Sequence, residues 1–200
     1  MPSVPNVFSI DSKPFGLSYS EWCIKWWQWI SCIPKDNNPV FDWSGIKVYE
    51  NQNDSRVLFL CQTYEGVKHT PFRRNKITKG STIFMPIINW ISIMYHDGNS
   101  DRKLLDIARS RMDVVGPLEI TINGLTVNKG LEKYRIESPF FEINLPENNL
   151  FGLSAGKRRC VSDGYWIFLR PIFENTRLSS FASCSSGVTM IKVEYDLKAD

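Results

Sequence analysis

Four tryptophans fall between positions 22 and 29, and no other feature of the chain restricts its fold as strongly. Trp22, Trp26, Trp27 and Trp29 follow Ser18-Tyr19-Ser20-Glu21, which has the spacing of a capping box. In that arrangement the Ser18 hydroxyl accepts from the Glu21 amide, while the Glu21 carboxylate reaches back to the Ser18 amide. A helix is therefore predicted from about Tyr19 to Ile33, where Pro34 stops it. At about 100° per residue, Tyr19, Trp22, Trp26, Trp29, Ile30 and Ile33 share one arc, with Trp27 on its flank. Glu21, Lys25, Gln28 and Ser31 fall opposite. An aromatic side chain buries about 150–250 Å², so this helix needs a broad apolar layer supplied by the rest of the chain. Trp27, at the flank, is the ring expected to be most exposed.

The remaining sequence supplies such a layer as strands. Val57-Leu58-Phe59-Leu60-Cys61 reads as a buried strand, followed by a polar, basic loop over 65–80. Thr82 to Ile88 reads as another strand, continued by Trp90 to Tyr95, and its Pro86 implies an edge or a bulge. Ser100-Asp101 opens a second helix, to about Val114, with Leu104, Leu105, Ile107, Ala108 and Met112 facing inward. Leu118 to Val127 is a hairpin centred on Asn123-Gly124. Tyr134 to Leu145 alternates around Pro139, Tyr165 to Leu169 is a buried strand, and Val188 to Leu197 alternates cleanly. Strands outnumber helices and do not alternate with them. The expected fold is mainly β: an antiparallel sandwich or jelly-roll-like core with two packed α-helices. The expected organisation is an extended N-terminal arm over 1–16 and a single globular β-rich domain over 17–200.

Bulk properties exclude several classes. A hydrophobic content of 42% with 22% charged residues is that of a globular chain and not a disordered one. The net charge of +3 is mild and does not by itself imply a nucleic-acid or membrane partner, and neither is expected. The longest apolar stretch, Ile83 to Met94, is interrupted and shorter than the roughly 20 residues of a membrane span. The start lacks both a basic segment and an apolar core, so no secretory signal is expected. Cys23, Cys32, Cys61, Cys160 and Cys184 include no CxxC pair. Cys23 and Cys32 would sit on opposite faces of one helix. Free thiols, a reducing compartment and a cytoplasmic location are the expectation. No metal and no cofactor are expected, because no two Cys or His residues stand at ligand spacing.

Three stretches carry a resemblance: Tyr19-Ser20-Glu21-Trp22 with Lys25-Trp26-Trp27-Gln28-Trp29; Val57-Leu58-Phe59-Leu60; and Gly80 with Ile83-Phe84-Met85-Pro86-Ile87-Ile88-Asn89. Ser162-Asp163-Gly164-Tyr165-Trp166 fits as well. Together they resemble an uncharacterised family of bacterial and archaeal proteins with a Lys-Trp-Trp-Gln-Trp helix, many of which look exported. The resemblance implies a fold type but no activity. It implies a cysteine pair in exported relatives at positions held here by Val48 and Asn75. It also implies a histidine turn where Ile172 to Thr176 stands, so this chain departs from the pattern at both places.

The candidate chemistry is sparse. The Trp stripe is either core or an aromatic platform for a sugar, a base or another planar ligand, with Lys25 or Gln28 as polar partner. Asp163 is either an anchoring carboxylate at a strand mouth or part of an ordinary Asp-Gly turn. His69 and His96 lie in loops beside strand ends. Arg73-Arg74-Asn75-Lys76 and Lys157-Arg158-Arg159 are either solvated charge or parts of an anion site. The leading expectation is a non-catalytic binding or interaction module for a small polar or anionic ligand or a partner protein, with Arg73, Arg74, Asp163, Trp27 and Gln28 at the site. The alternatives are a hydrolase- or lyase-type enzyme using Asp163 with His69 or His96, and a self-associating structural protein that forms a homo-oligomer.

Overall fold

A computed structural model describes residues 4–63, 70–184 and 190–200. His69, Val188 and Thr189 lie outside the described residues. The first helix, α1 (Tyr19–Ser31), starts as its cap demands: the Ser18 amide donates to Glu21 Oε2 at 2.7 Å and the Glu21 amide to Ser18 Oγ at 3.4 Å. At its far end the Asn38 side chain closes the last turn, its Nδ2 donating to Ile30 O at 2.7 Å and Ile33 O at 3.1 Å. Orphan carbonyls at a buried helix end need such partners.

Two five-stranded sheets form the sandwich. The first contains β1 (Val57–Phe59), β3 (Ser81–Ile93), β6 (Arg135–Glu137), β7 (Phe141–Leu145) and β8 (Gly156–Ile172), with β3 and β8 at its centre. The second runs β2 (Phe72–Ile77), β10 (Met190–Ala199), β9 (Thr176–Cys184), β4 (Val115–Ile122) and β5 (Leu125–Val127). Most pairings are antiparallel, but β1 on β3 and β2 on β10 are parallel. The Asn123-Gly124 hairpin forms as its sequence requires, with φ of 50° and 85° at the two turn residues. The second helix, α2 (Asp101–Asp113), is capped by Ser100 and buries Leu104 and Ala108 against Val161 of β8.

The indoles of α1 pack on the first sheet. Trp22 meets Phe168 edge-on at 5.4 Å, Trp26 meets Trp166 at 5.3 Å, and Phe84 stacks on Trp166 at 5.2 Å. Three indole N–H groups are satisfied by backbone: Trp22 by Pro14 O, Trp26 by Leu60 O and Trp29 by Glu50 O. The described stretch before α1, from Val4 on, also packs on the sandwich. Val4 and Val7 are buried, and Phe8 N and Asn6 O bond to Phe168 and Arg170 of β8.

Several sequence expectations give way. The basic stretch around Arg73 is not a loop but strand β2, alternating exposed and buried residues. Ser162-Asp163-Gly164 is not a turn; it lies in the middle of the 17-residue β8. Lys157-Arg158-Arg159 opens that same strand. Strand β9, with four polar residues among its first five, shows no hydrophobic pattern by which its sequence would announce it. Ser31, placed on the polar side of α1 by its spacing, is fully buried. Pro86 sits at a register shift between Pro86 and Ile88, the bulge its missing N–H calls for.

Candidate functional site

The bulge in β3 and the shortness of β1 together create an opening in the sandwich. β1 ends opposite Phe84, while β3 continues to Ile93. Beyond that point a side chain replaces the missing neighbour: Gln62 Nε2 donates to Ile87 O at 3.0 Å and Pro86 O at 3.3 Å, and also contacts Ser180 Oγ of β9.

Beside this edge lies a cavity of about 340 Å³. Trp26, Trp27 and Ile30 line it from α1, Asn89 to Ile91 and Ile93 from β3, and Gln62 and Thr63 from the segment after β1. His96 and Asp97 lie beyond the end of β3, and Val40, Leu150, Phe151 and Ile191 complete the described lining. The size falls within the range of small-molecule sites. No Lys or Arg is among the described lining residues.

The wall is mainly aromatic and aliphatic, yet it holds unpaired polar atoms. Trp27 Nε1, Gln62 Oε1, Thr63 Oγ1, Asn89 Nδ2 and Trp90 Nε1 are buried and have no hydrogen-bond partner among the described residues. These are five of the ten such atoms, gathered in one place. Each unpaired buried polar group costs about 1–3 kcal/mol. Five in one wall therefore favour occupancy by something that returns the hydrogen bonds, either water or a ligand.

Local chemistry fixes several of these groups. Gly164 pairs with Asn89 across β3 and β8, and a Cβ there would lie 2.6 Å from Asn89 Cβ and 2.9 Å from Ile88 O. Only glycine lets the Asn89 side chain lie over β8. Arg111 stacks its guanidinium on the Trp90 ring at 4.5 Å, which holds the indole in place. The Asp97 carboxylate accepts from Ile93 N at 2.7 Å and lies 3.2 Å from His96 Nδ1, so the imidazole is oriented by a group that the strand end has fixed.

The other sequence candidates lie elsewhere. Arg73 is fully buried and makes no rim: Nε donates to Asp42 O, Nη1 to Cys61 O and Tyr195 Oη, and Nη2 to Pro39 O, at 2.6–3.0 Å. Arg74 points to the opposite, exposed side of β2 and stacks on Phe72. The two arginines do not converge. Asp163 is buried and held by Arg135, whose Nη2 donates to its Oδ2 at 2.7 Å; Arg135 also bridges to Asp113. Burial pushes the Asp163 carboxyl above its usual range, against the opposing pull of Arg135. Asp163 is not among the cavity's lining residues, so the structure does not pair it there with His96. Gln28 is exposed and ties α1 to β7 through Glu142 O at 3.0 Å. Trp27, expected to be the exposed ring, is 7% exposed, but it does line the cavity.

The cysteines offer no nucleophile to this site. All five are free, and burial raises the thiols of Cys23, Cys61 and Cys160, the last to about 12. Val48 and Asn75 are both buried, on elements that contact each other. Among the described residues no group of three or more His, Cys, Asp or Glu residues could hold a metal ion, and no helix is long and apolar enough to cross a membrane. Comparison of the chain with protein families, with characterised proteins and with solved structures gives no match.

Proposed function

We propose that this protein is a non-catalytic binding module whose tryptophan-lined cavity takes a small, uncharged, ring-shaped polar molecule such as a sugar or a heterocyclic base. The supporting observation is the set of unpaired polar atoms in an otherwise apolar wall. Indole and aliphatic surfaces cover the faces of a ring, while Trp27, Trp90 and Asn89 offer donors and Gln62 an acceptor to its edge. The described lining carries no Lys or Arg to neutralise an anion placed inside it. A hydrolytic reading would have to rest on His96 and Asp97. It is weaker, because the described wall holds no serine or cysteine and Thr63 is its only hydroxyl.

Thr63→Val tests the reading. The change keeps the side chain's shape and removes only a hydroxyl that has no partner among the described residues. Stability should stay level or rise by up to about 1 kcal/mol. Saturation-transfer NMR against a panel of monosaccharides and nucleosides should find a binder for the wild type, and Thr63→Val should weaken it roughly tenfold. If the whole panel is silent, or if the variant binds as tightly as the wild type, the proposal fails.

A further inference from the structure

A second hollow, of about 520 Å³, adjoins the tryptophan cavity and shares His96 with it. Its lining includes Tyr95, Lys157, Arg158 and Arg159. The charge in it is not balanced. Arg159 is neutralised by Asp101, with Nε and Nη2 donating to the two carboxylate oxygens at 3.0 and 2.7 Å. Among the described residues Lys157 has only a loose partner, Glu142 at 3.8 Å, with both groups largely exposed. Arg158 has no carboxylate partner among the described residues. Its Nη2 donates to Ser154 O at 2.8 Å and Ser154 Oγ at 3.0 Å, and its Nη1 to Lys157 O at 2.9 Å. These bonds orient the guanidinium without cancelling its charge, which is how an anion subsite is prepared. Asp97, the one carboxylate among the described lining residues of the two hollows, lines the first and not the second.

From this we infer that the natural ligand is a phosphate ester: its uncharged ring occupies the tryptophan cavity, and its phosphate passes His96 to rest on Arg158 and Lys157. This rests on the binding role proposed above and adds the charge that the first cavity could not accept. The two hollows divide one ligand into a desolvated ring and a solvated anion. Charged hydrogen bonds from Arg and Lys then add to ring burial, in a region where salt still screens them.

Calorimetric titration with matched pairs tests the inference: ribose and ribose 5-phosphate, glucose and glucose 6-phosphate, uridine and its 5′-monophosphate, adenosine and its 5′-monophosphate, with inorganic phosphate as a separate titrant. For at least one pair the phosphorylated member should bind about tenfold or more tightly than its parent, with an advantage that shrinks as salt rises. The double variant Lys157→Gln/Arg158→Gln should abolish that advantage and leave the neutral parent's affinity unchanged, whereas Arg159→Gln should change little. Equal affinities within every pair, with the neutral members binding, would overturn the phosphate subsite and leave the cavity reading intact. Binding by no member of any pair would overturn both. An advantage that survives the double variant, or inorganic phosphate binding as tightly as the esters, would also overturn it.

Discussion

Replacing Arg73 with Met distinguishes a structural arginine from a ligand-binding one. Met fills much of the same volume as the arginine stem but donates no hydrogen bonds, so the loss is confined to the guanidinium. Four acceptors surround that group: Asp42 O at 2.8 Å, Cys61 O at 2.7 Å, Pro39 O at 3.0 Å and Tyr195 Oη at 2.6 Å. Cys61 O keeps a second donor in Tyr195 Oη, at 2.7 Å. Pro39 O keeps the Asp42 amide, at 3.1 Å, so Asp42 O is the acceptor left without a donor among the described residues. The buried orphan costs about 1–3 kcal/mol and each of the three other lost bonds about 0.5–1.5 kcal/mol, so the gross loss is roughly 2.5–7.5 kcal/mol. Relief from burying a cation that makes no ion pair among the described residues offsets part of this, so a net loss of about 2–4 kcal/mol is expected. Urea unfolding followed by tryptophan fluorescence would show it as a lowered midpoint with an unchanged slope. Arg73→Lys should recover only part, because one ammonium cannot span acceptors on three segments. Arg74→Met, on the exposed side of the same strand, should stay within about 0.5 kcal/mol. A loss below about 1 kcal/mol in Arg73→Met would refute the view that this guanidinium joins the 39–42 loop to both sheets.

Three further outcomes follow from the packing. Trp26→Ala removes a ring that is 3% exposed and whose N–H bonds Leu60 O; it should cost about 3–5 kcal/mol in chemical denaturation, and a loss under about 1 kcal/mol would take the ring out of the core. Gly164→Ala drives a methyl group into Asn89 Cβ and Ile88 O, so it should destabilise by about 1–3 kcal/mol and also weaken any cavity ligand; full stability with unchanged binding would contradict the close approach of β3 and β8. Burial raises the Asp163 carboxyl above its unfolded value, despite Arg135. Stability from this group is then complete below the unfolded carboxylate pKa and is lost as pH rises through the raised folded one. Across the acidic range, the stability of the wild type relative to Asp163→Asn should fall as pH increases, and a rise measured in a urea-unfolding pH series would show the opposite shift.

The parts of the fold that sequence made legible are those governed by neighbours in the chain. The capping box of α1, the Ser100 cap of α2, the Asn123-Gly124 hairpin and the Pro86 bulge each depend on a few consecutive residues, and each forms. What failed depended on residues far apart. Arg73 in strand β2 looks like a solvated charge until Pro39, Asp42, Cys61 and Tyr195 gather around it. Asp163-Gly164 has turn composition, but Arg135 accommodates the carboxylate and the Asn89 side chain requires the glycine, so both residues can lie in mid-strand. Ser31 faces inward although its neighbours on the wheel are polar.

The cavity was harder to foresee for the same reason. Its polar atoms come from positions 27, 62, 63, 89 and 90, carried on a helix, a strand and the segment between β1 and β2. No spacing rule links such positions. Trp27 alone left a trace, because it sits at the flank of the apolar arc where a helix passes from packed core to open edge. A flank position predicts exposure to water, whereas this flank faces a gap between elements. The gap exists because β1 is three residues long and its neighbour β3 is thirteen. Unequal strand length in a sandwich leaves a row of unpaired edge groups, and here Gln62 covers only part of that row. A long apolar strand beside a short one, followed by Gln-Thr in place of a further apolar run, is therefore a sequence sign of a pocket at a sheet edge.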